Sequence, residues 1–168
     1  ASNNQASVDV IIKVAADIIL LKSALTVEDP VNCTTNPKAS PGAYVLYSIS
    51  ATTQGLGTAD ADTVSISDPV PPNTALFVGN LSAGSPVAFI DGTPGSGLGL
   101  NIISLANNND DIEFSSNGGA SYDYTPVPEV DGFDVNVTHI RIKPTGTFAA
   151  ANGTSPPACS IRVLTLLE

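Results

Sequence analysis

The chain has no methionine and no tryptophan, one histidine, two cysteines and six basic residues among its 168. Each scarcity closes a class of function. Six Lys and Arg against sixteen Asp and Glu leave a net charge of −10. No basic patch able to neutralise a run of phosphates can be built from so few cations, so nucleic acid is not an expected partner. The same balance opposes docking on anionic lipid. No stretch approaches the ~20 apolar residues of a membrane span, because Asp9, Lys13, Asp17 and Lys22 interrupt the best candidate, and no membrane insertion is expected. A lone His139 argues against multi-histidine zinc sites and against a nucleophile–histidine pair. Without Met, Ala1 is no translation start, and a secreted chain whose signal peptide has been cleaved is the expectation.

The two cysteines fit that compartment. Cys33 follows the first long apolar run and Cys159 opens the last, so a Cys33–Cys159 disulfide is expected to tie the two ends of the domain together. Closing so long a loop would contribute about 4–5 kcal/mol in the chain-entropy account. With both thiols bonded, neither is a candidate nucleophile.

Apolar residues make up 42% of the chain, enough to build a core, and the 13 Pro and 14 Gly cluster between short apolar runs. No window of helical length keeps a 3.6-residue period, whereas two-residue alternation recurs. Ala43 to Ala51 places Val45, Tyr47, Ile49 and Ala51 on one face, and Val64 and Ile66 point inward from Thr63 to Ser67. Further strands are predicted at Leu76 to Val78, Val87 to Asp91, Leu98 to Leu105, Asp111 to Ser115 and Tyr122 to Tyr124. In Phe133 to Lys143 the inward set changes from Phe133, Val135 and Val137 to Ile140 and Ile142, which predicts a β-bulge near Thr138 or His139. The closing strand, Cys159 to Leu167, is apolar on both faces and should be covered on both, either centrally in the fold or at a subunit contact. The expectation is an all-β chain folded as a sandwich.

One segment does not fit a closed monomer. Val8 to Val27 contains no Gly, Pro or Asn, and its first part places Val8, Val10, Ile12 and Val14 on one face, with Asp9, Ile11 and Lys13 on the other. A second apolar run, Ile18 to Leu21, follows after only Ala15, Ala16 and Asp17, with no hairpin signal between. Twenty extended residues reach about 65 Å, more than the ~40 Å diameter of a domain this size. The segment must bend between two sheets or leave its own body and finish in another copy. The division expected is residues 1–15 as an N-terminal extension and candidate donor strand, and 16–168 as the sandwich.

The pattern LKSALTVEDPVNCTTNPKASPGAYVLYSISATTQGLGTADADTVSISDPVPPNT resembles the conserved-repeat domain of bacterial and archaeal surface proteins, a family of undefined function. The matching hallmarks are Lys22-Ser23, Asn36-Pro37 to Gly42, Tyr47-Ser48-Ile49 and Asp68-Pro69 to Pro72. SNGGASYDYTPVPEVDGFDVNVTHIRIKPTGTF is similar to the C-terminal half of single-domain secreted members, so the resemblance spans roughly residues 17 to 168. It implies an immunoglobulin-like β-sandwich used structurally outside the cell, with no catalytic residues to transfer. The chain departs from the pattern in its additional N-terminal residues and in not continuing into a second repeat.

Other candidates carry less. Asp60 with Asp62, and Asp110, Asp111 and Glu113, are weak Ca²⁺ candidates that match no EF-hand loop; solvated loops are the simpler reading, and no cofactor is expected. GTPGSGLG is glycine-rich but lacks the GxGxxG spacing and a following helix, so a turn is favoured over a phosphate cradle. His139 beside Arg141 reads as a surface or bulge residue. Sequons begin at Asn32, Asn80, Asn136 and Asn152, a number close to chance for this composition. Tyr44, Tyr122 and Tyr124 make a thin platform for surface glycans or cell wall. The expectation is therefore a non-enzymatic, secreted subunit of a pilus-like filament whose partners are copies of itself, with Val8, Val10, Ile12 and Val14 as the donated strand. The alternative is a monomeric cell-surface or adhesive module binding a ligand through its loops.

Overall fold

The structure, a computed structural model, describes residues 14–129, 131–153 and 155–168. The described residues form eleven strands and no helix. β2 (Tyr44–Thr53) is the longest alternating segment after the N-terminal run, and its register carries the larger sheet. On one side it pairs antiparallel with β1 (Ile18–Glu28), from Ile18 opposite Thr53 to Glu28 opposite Tyr44. On the other it pairs with β11 (Ala158–Leu167), from Ala158 opposite Thr52 to Leu166 opposite Tyr44. The far edge of β11 is shared by β5 (Ala88–Asp91) and β4 (Thr74–Phe77), and β8 (Phe133–Asp134) closes the sheet beyond β4. The smaller sheet has three strands, β3 (Ile66–Pro69), β9 (His139–Ile142) and β7 (Ile112–Ser115), in that order. A short ribbon joins β6 (Leu98–Gly99) to β10 (Thr145–Gly146).

Alternation decides which side chains enter the core. Val45, Ile49 and Ala51 of β2 and Cys159, Ile161 and Val163 of β11 face inward and are buried. Ile49, Ile161 and Val163 meet Ile66, Ile112, Phe114, Ile140 and Ile142 from the smaller sheet in one apolar cluster, while Ala51 and Cys159 pack with Leu98 and Phe148 in a second. The expected all-β sandwich is the architecture observed. β11 is apolar on both faces because it is central: its inner residues are buried, and Leu164 and Leu166 are half-buried on the outer face.

Some strand expectations change. Phe133 to Lys143 is not one bulged strand but two: β8 belongs to the larger sheet and β9 to the smaller, and the turn at Val135–Asn136 carries the chain across. The shift in inward residues thus marks a change of sheet. Leu98 to Leu105 keeps only the two residues of β6, and Tyr122 to Tyr124 reduces to a bridge between Phe114 and Tyr124.

The expected disulfide is not formed. Cys33 is an exposed free thiol and Cys159 a buried one. The register gives the reason: Glu28 and Leu166 both oppose Tyr44, whereas Cys159 opposes Ala51 at the other end of β2. Cys33 lies just past β1, bridged to Asp29. Seven residues of strand separate these ends, about 23 Å, far beyond the ~7 Å Cα separation that a disulfide spans. Burial pushes the Cys159 thiol up; a hydrogen bond from Ser96 opposes this and the Asp91 charge adds to it. In thiol titration, Cys33 should react under native conditions and Cys159 only after denaturation, with reductant leaving Tm unchanged. A single bridged species with no reactive thiol would contradict this arrangement.

Candidate assembly cleft

The larger sheet is wider than the smaller one, and the mismatch falls on β1. Its inner face carries Ile18, Leu20, Lys22 and Ala24, opposite the inward-facing Thr53, Ala51, Ile49 and Tyr47 of β2. Those β2 residues are covered; β1 is not. Every residue from Ile19 to Leu25 is exposed, with Leu20 at 53% on the inner face and Leu21 at 68% and Leu25 at 64% on the outer. β3 is the edge of the smaller sheet on this side and pairs only with β9 among the described strands; β1 likewise pairs only with β2. Two unpaired strand edges thus flank the same opening, and such edges are templates for another chain unless guarded.

Between them runs a cleft of about 350 Å³ whose walls include Ile18, Leu20 and Ala51 on one side and Ala59, Val64 and Ile66 on the other. Its floor is the flank of the core. Its far end is charged: Lys22 Nζ lies 2.7 Å from each carboxylate oxygen of Asp68, joining β1 to β3 across the opening. The same ammonium sits 4.9 Å from the Tyr47 ring centroid. Lys22 is the one charged residue among the inner positions of β1, so the cleft grades from apolar to charged along its length.

At the apolar end the chain enters β1 across the loop after β2. Gln54 N–H donates to the Asp17 carbonyl at 2.8 Å. Gly57 is buried beneath Val14 and Ala15: a Cβ there would stand 2.1 Å from the Val14 carbonyl oxygen, so only glycine lets the segment lie on this loop. Val14 itself is 57% exposed, in a shallow depression with Leu56, Thr58 and Asp60, outside the cleft. Val8, Val10 and Ile12, the other expected donor positions, lie outside the described residues. Lys22 and Asp68 were not singled out as a pair in the sequence. The signal was there in the inward alternation of Ile18 and Leu20, which Lys22 interrupts.

The other candidates resolve into structural roles. Asp110 accepts N–H groups from Ile103 at 2.9 Å and Ile112 at 3.1 Å, and Asp111 accepts that of Asn101 at 2.7 Å. Glu113 is held by Arg141 and Lys143. Asp62 accepts the Gly146 N–H at 2.7 Å, and the Asp60 carbonyl accepts the Thr63 hydroxyl at 2.7 Å. No three His, Cys, Asp or Glu among the described residues gather as metal ligands. The glycine-rich loop is pinned by Asp91, which accepts the Ser96 hydroxyl at 2.7 Å and backbone N–H at 2.6 Å. His139 is half-buried, and Arg141 stacks 4.0 Å over the Tyr122 ring. No protein-family model matches the chain, and no curated protein or solved structure matches it either.

Three carboxylates are held below their ordinary range by these contacts. In Asp29 the cause is hydrogen bonding from the Asn32 backbone and side chain and from Lys38. In Asp91 it is the Ser96 hydroxyl and N–H. In Glu113 burial pushes upward, but the hydrogen bonds and charges of Lys143 and Arg141 outweigh it. A depressed carboxylate stabilises the fold above its unfolded pKa, and that stability is lost as pH falls through the folded value. Tm should therefore hold level from pH 7 down to about 5 and fall below about 4, where free carboxylates protonate. A Tm that rose on acidification would contradict these pairings.

Proposed function

We propose that the protein is a secreted structural subunit of an extracellular filament, in which the N-terminal strand of one copy completes the sandwich of the next. The observation that carries this is the flank left uncovered among the described residues: β1 exposes apolar side chains toward the core side, and β3 beside it pairs with no described strand but β9. A strand added there satisfies its backbone groups on an existing sheet and buries its apolar face, as in other strand-addition complexes. Val8, Val10, Ile12 and Val14 supply such a face, worth about 6–12 kcal/mol at roughly 1.5–3 kcal/mol each before ordering costs. Donation from one copy into another is heterologous, and when it does not close on itself it propagates as a fibre. The resemblance to single-domain surface proteins points the same way, toward a structural role outside the cell without catalysis.

Deleting residues 1–13, or placing Asp at both Val10 and Ile12, should leave a folded monomer by size-exclusion chromatography, while the intact chain gives filaments by electron microscopy. Filaments persisting in both variants would overturn the proposal. A ligand-binding surface module would instead stay monomeric in every form.

A further inference from the structure

We infer that the Val8–Val14 segment of a second copy occupies the β1–β3 cleft as a fourth strand of the smaller sheet, running antiparallel to β3. This rests on the filament function proposed above, and it adds the place and direction of insertion.

Length is the first support. Inward and outward positions alternate over the seven residues from Thr63 to Pro69, with Val64 half-buried and Ile66 and Asp68 buried, the last four of them forming β3. Val8 to Val14 is also seven residues, about 23 Å when extended. The second support is polarity. The cleft is apolar beside Val64 and Ile66 and charged at Asp68 and Lys22, so β3 runs from its apolar to its charged end. The N-terminal segment has the opposite order: Asn3, Asn4, Gln5, Ala6 and Ser7 precede the apolar alternation. Matching polar to charged and apolar to apolar requires the two to run in opposite directions. With Ile12 beside Val64, the antiparallel strand brings Val8 to Asp68 and then Ser7 and Ala6 past it. A parallel strand starting with Val8 at Val64 would instead lay Ile12 on the Lys22–Asp68 pair and Val14 beyond it, and so strip water from more of the charged end.

Charge supplies the third. Within residues 1–14 the only charged side chains are Asp9 and Lys13, which sum to zero, so the full −10 resides in the rest of the chain. A neutral strand approaches that acidic body without repulsion, whereas two bodies repel. The occupant is another copy's segment because the chain's own exit point lies elsewhere. Val14 rests against the loop over Gly57, with Asp17 held by Gln54, and only Ala15 to Asp17 separate it from β1. That tripeptide has no residue suited to the reversal that self-insertion needs.

The test uses full-length protein with Cys33→Ser, since Cys159 is buried, and pairs of introduced cysteines under mild oxidation. Ile12→Cys with Val64→Cys should give a ladder of covalent multimers on a non-reducing gel, at least five-fold stronger than Val8→Cys with Val64→Cys. The same samples are imaged for filaments. Filaments with the stronger ladder from the second pair would overturn the direction, and filaments with no ladder from either would overturn the cleft, both leaving the filament function standing. A cross-linked monomer without filaments would overturn both proposals, as would the absence of filaments from the Cys33→Ser parent. Leu20→Asp is an independent check that leaves folding intact, because Leu20 is already more than half exposed. It should reduce filament yield at least ten-fold, and an unchanged yield would overturn the cleft.

Discussion

The two sheets of this sandwich are of unequal width, and most of the molecule's character follows from that constraint. A sheet face becomes a core only where another layer covers it. Over β2 and β11 the cover is complete, and Ile49, Ala51, Ile161 and Val163 are nearly inaccessible. One strand further out the cover ends at β3, and Leu20, on the same face as Ala51 and directly opposite it, stands in solvent. Nothing about Leu20 as a residue differs from its buried neighbours; only its position beyond the edge of the smaller sheet does. Among the described residues, no strand lies beyond β3 in the smaller sheet to cover it.

The rest of the structure keeps that opening in place. β11 binds β2 on one edge and both β4 and β5 on the other, so the strand that closes the chain is also the spine of the larger sheet. β1 can then extend eleven residues with a single neighbour among the described strands because β2 is fixed from its other side. Buried acidic groups serve the same end. Asp110, Asp111 and Asp29 spend their oxygens on backbone N–H groups of their own loops, where an unpaired donor would otherwise be stranded. In a chain poor in aromatic residues and without a disulfide, these caps order the long connections between short strands.

Much of this was legible in the sequence. Two-residue alternation in Val45 to Ala51 led to β2, and the two apolar faces of the last strand called for cover on both, from the fold or from a subunit contact; its place beside β2, β4 and β5 is the central one. The break between the two N-terminal apolar runs was placed at Ala15 to Asp17, and β1 begins at Ile18. What failed did so for a common reason: pairing depends on where strands lie relative to one another, which alternation does not encode. Cys33 and Cys159 bracket the domain in sequence, yet the antiparallel register sends them to opposite ends of one strand. Phe133 to Lys143 shows a change of inward residues that a bulge and a sheet crossing produce alike. The acidic residues looked like ligands because a carboxylate capping a turn and one awaiting a cation have the same local sequence.

An exposed apolar strand edge is an aggregation hazard, and this edge carries a charged guard. Lys22 places a charge at an inward position of β1 and is tied to Asp68 on the facing edge. The two charges face each other with Asp68 buried and Lys22 open to solvent. Their consequence is selective: an indiscriminate apolar strand that ran the length of the cleft would desolvate both charges. The body's net negative charge adds a second filter, since it disfavours an acidic segment in the cleft and not a neutral one. A segment passes both filters only if it is neutral, apolar over about seven residues and polar beyond them. Residues 3 to 14 of the same chain have that composition, in that order.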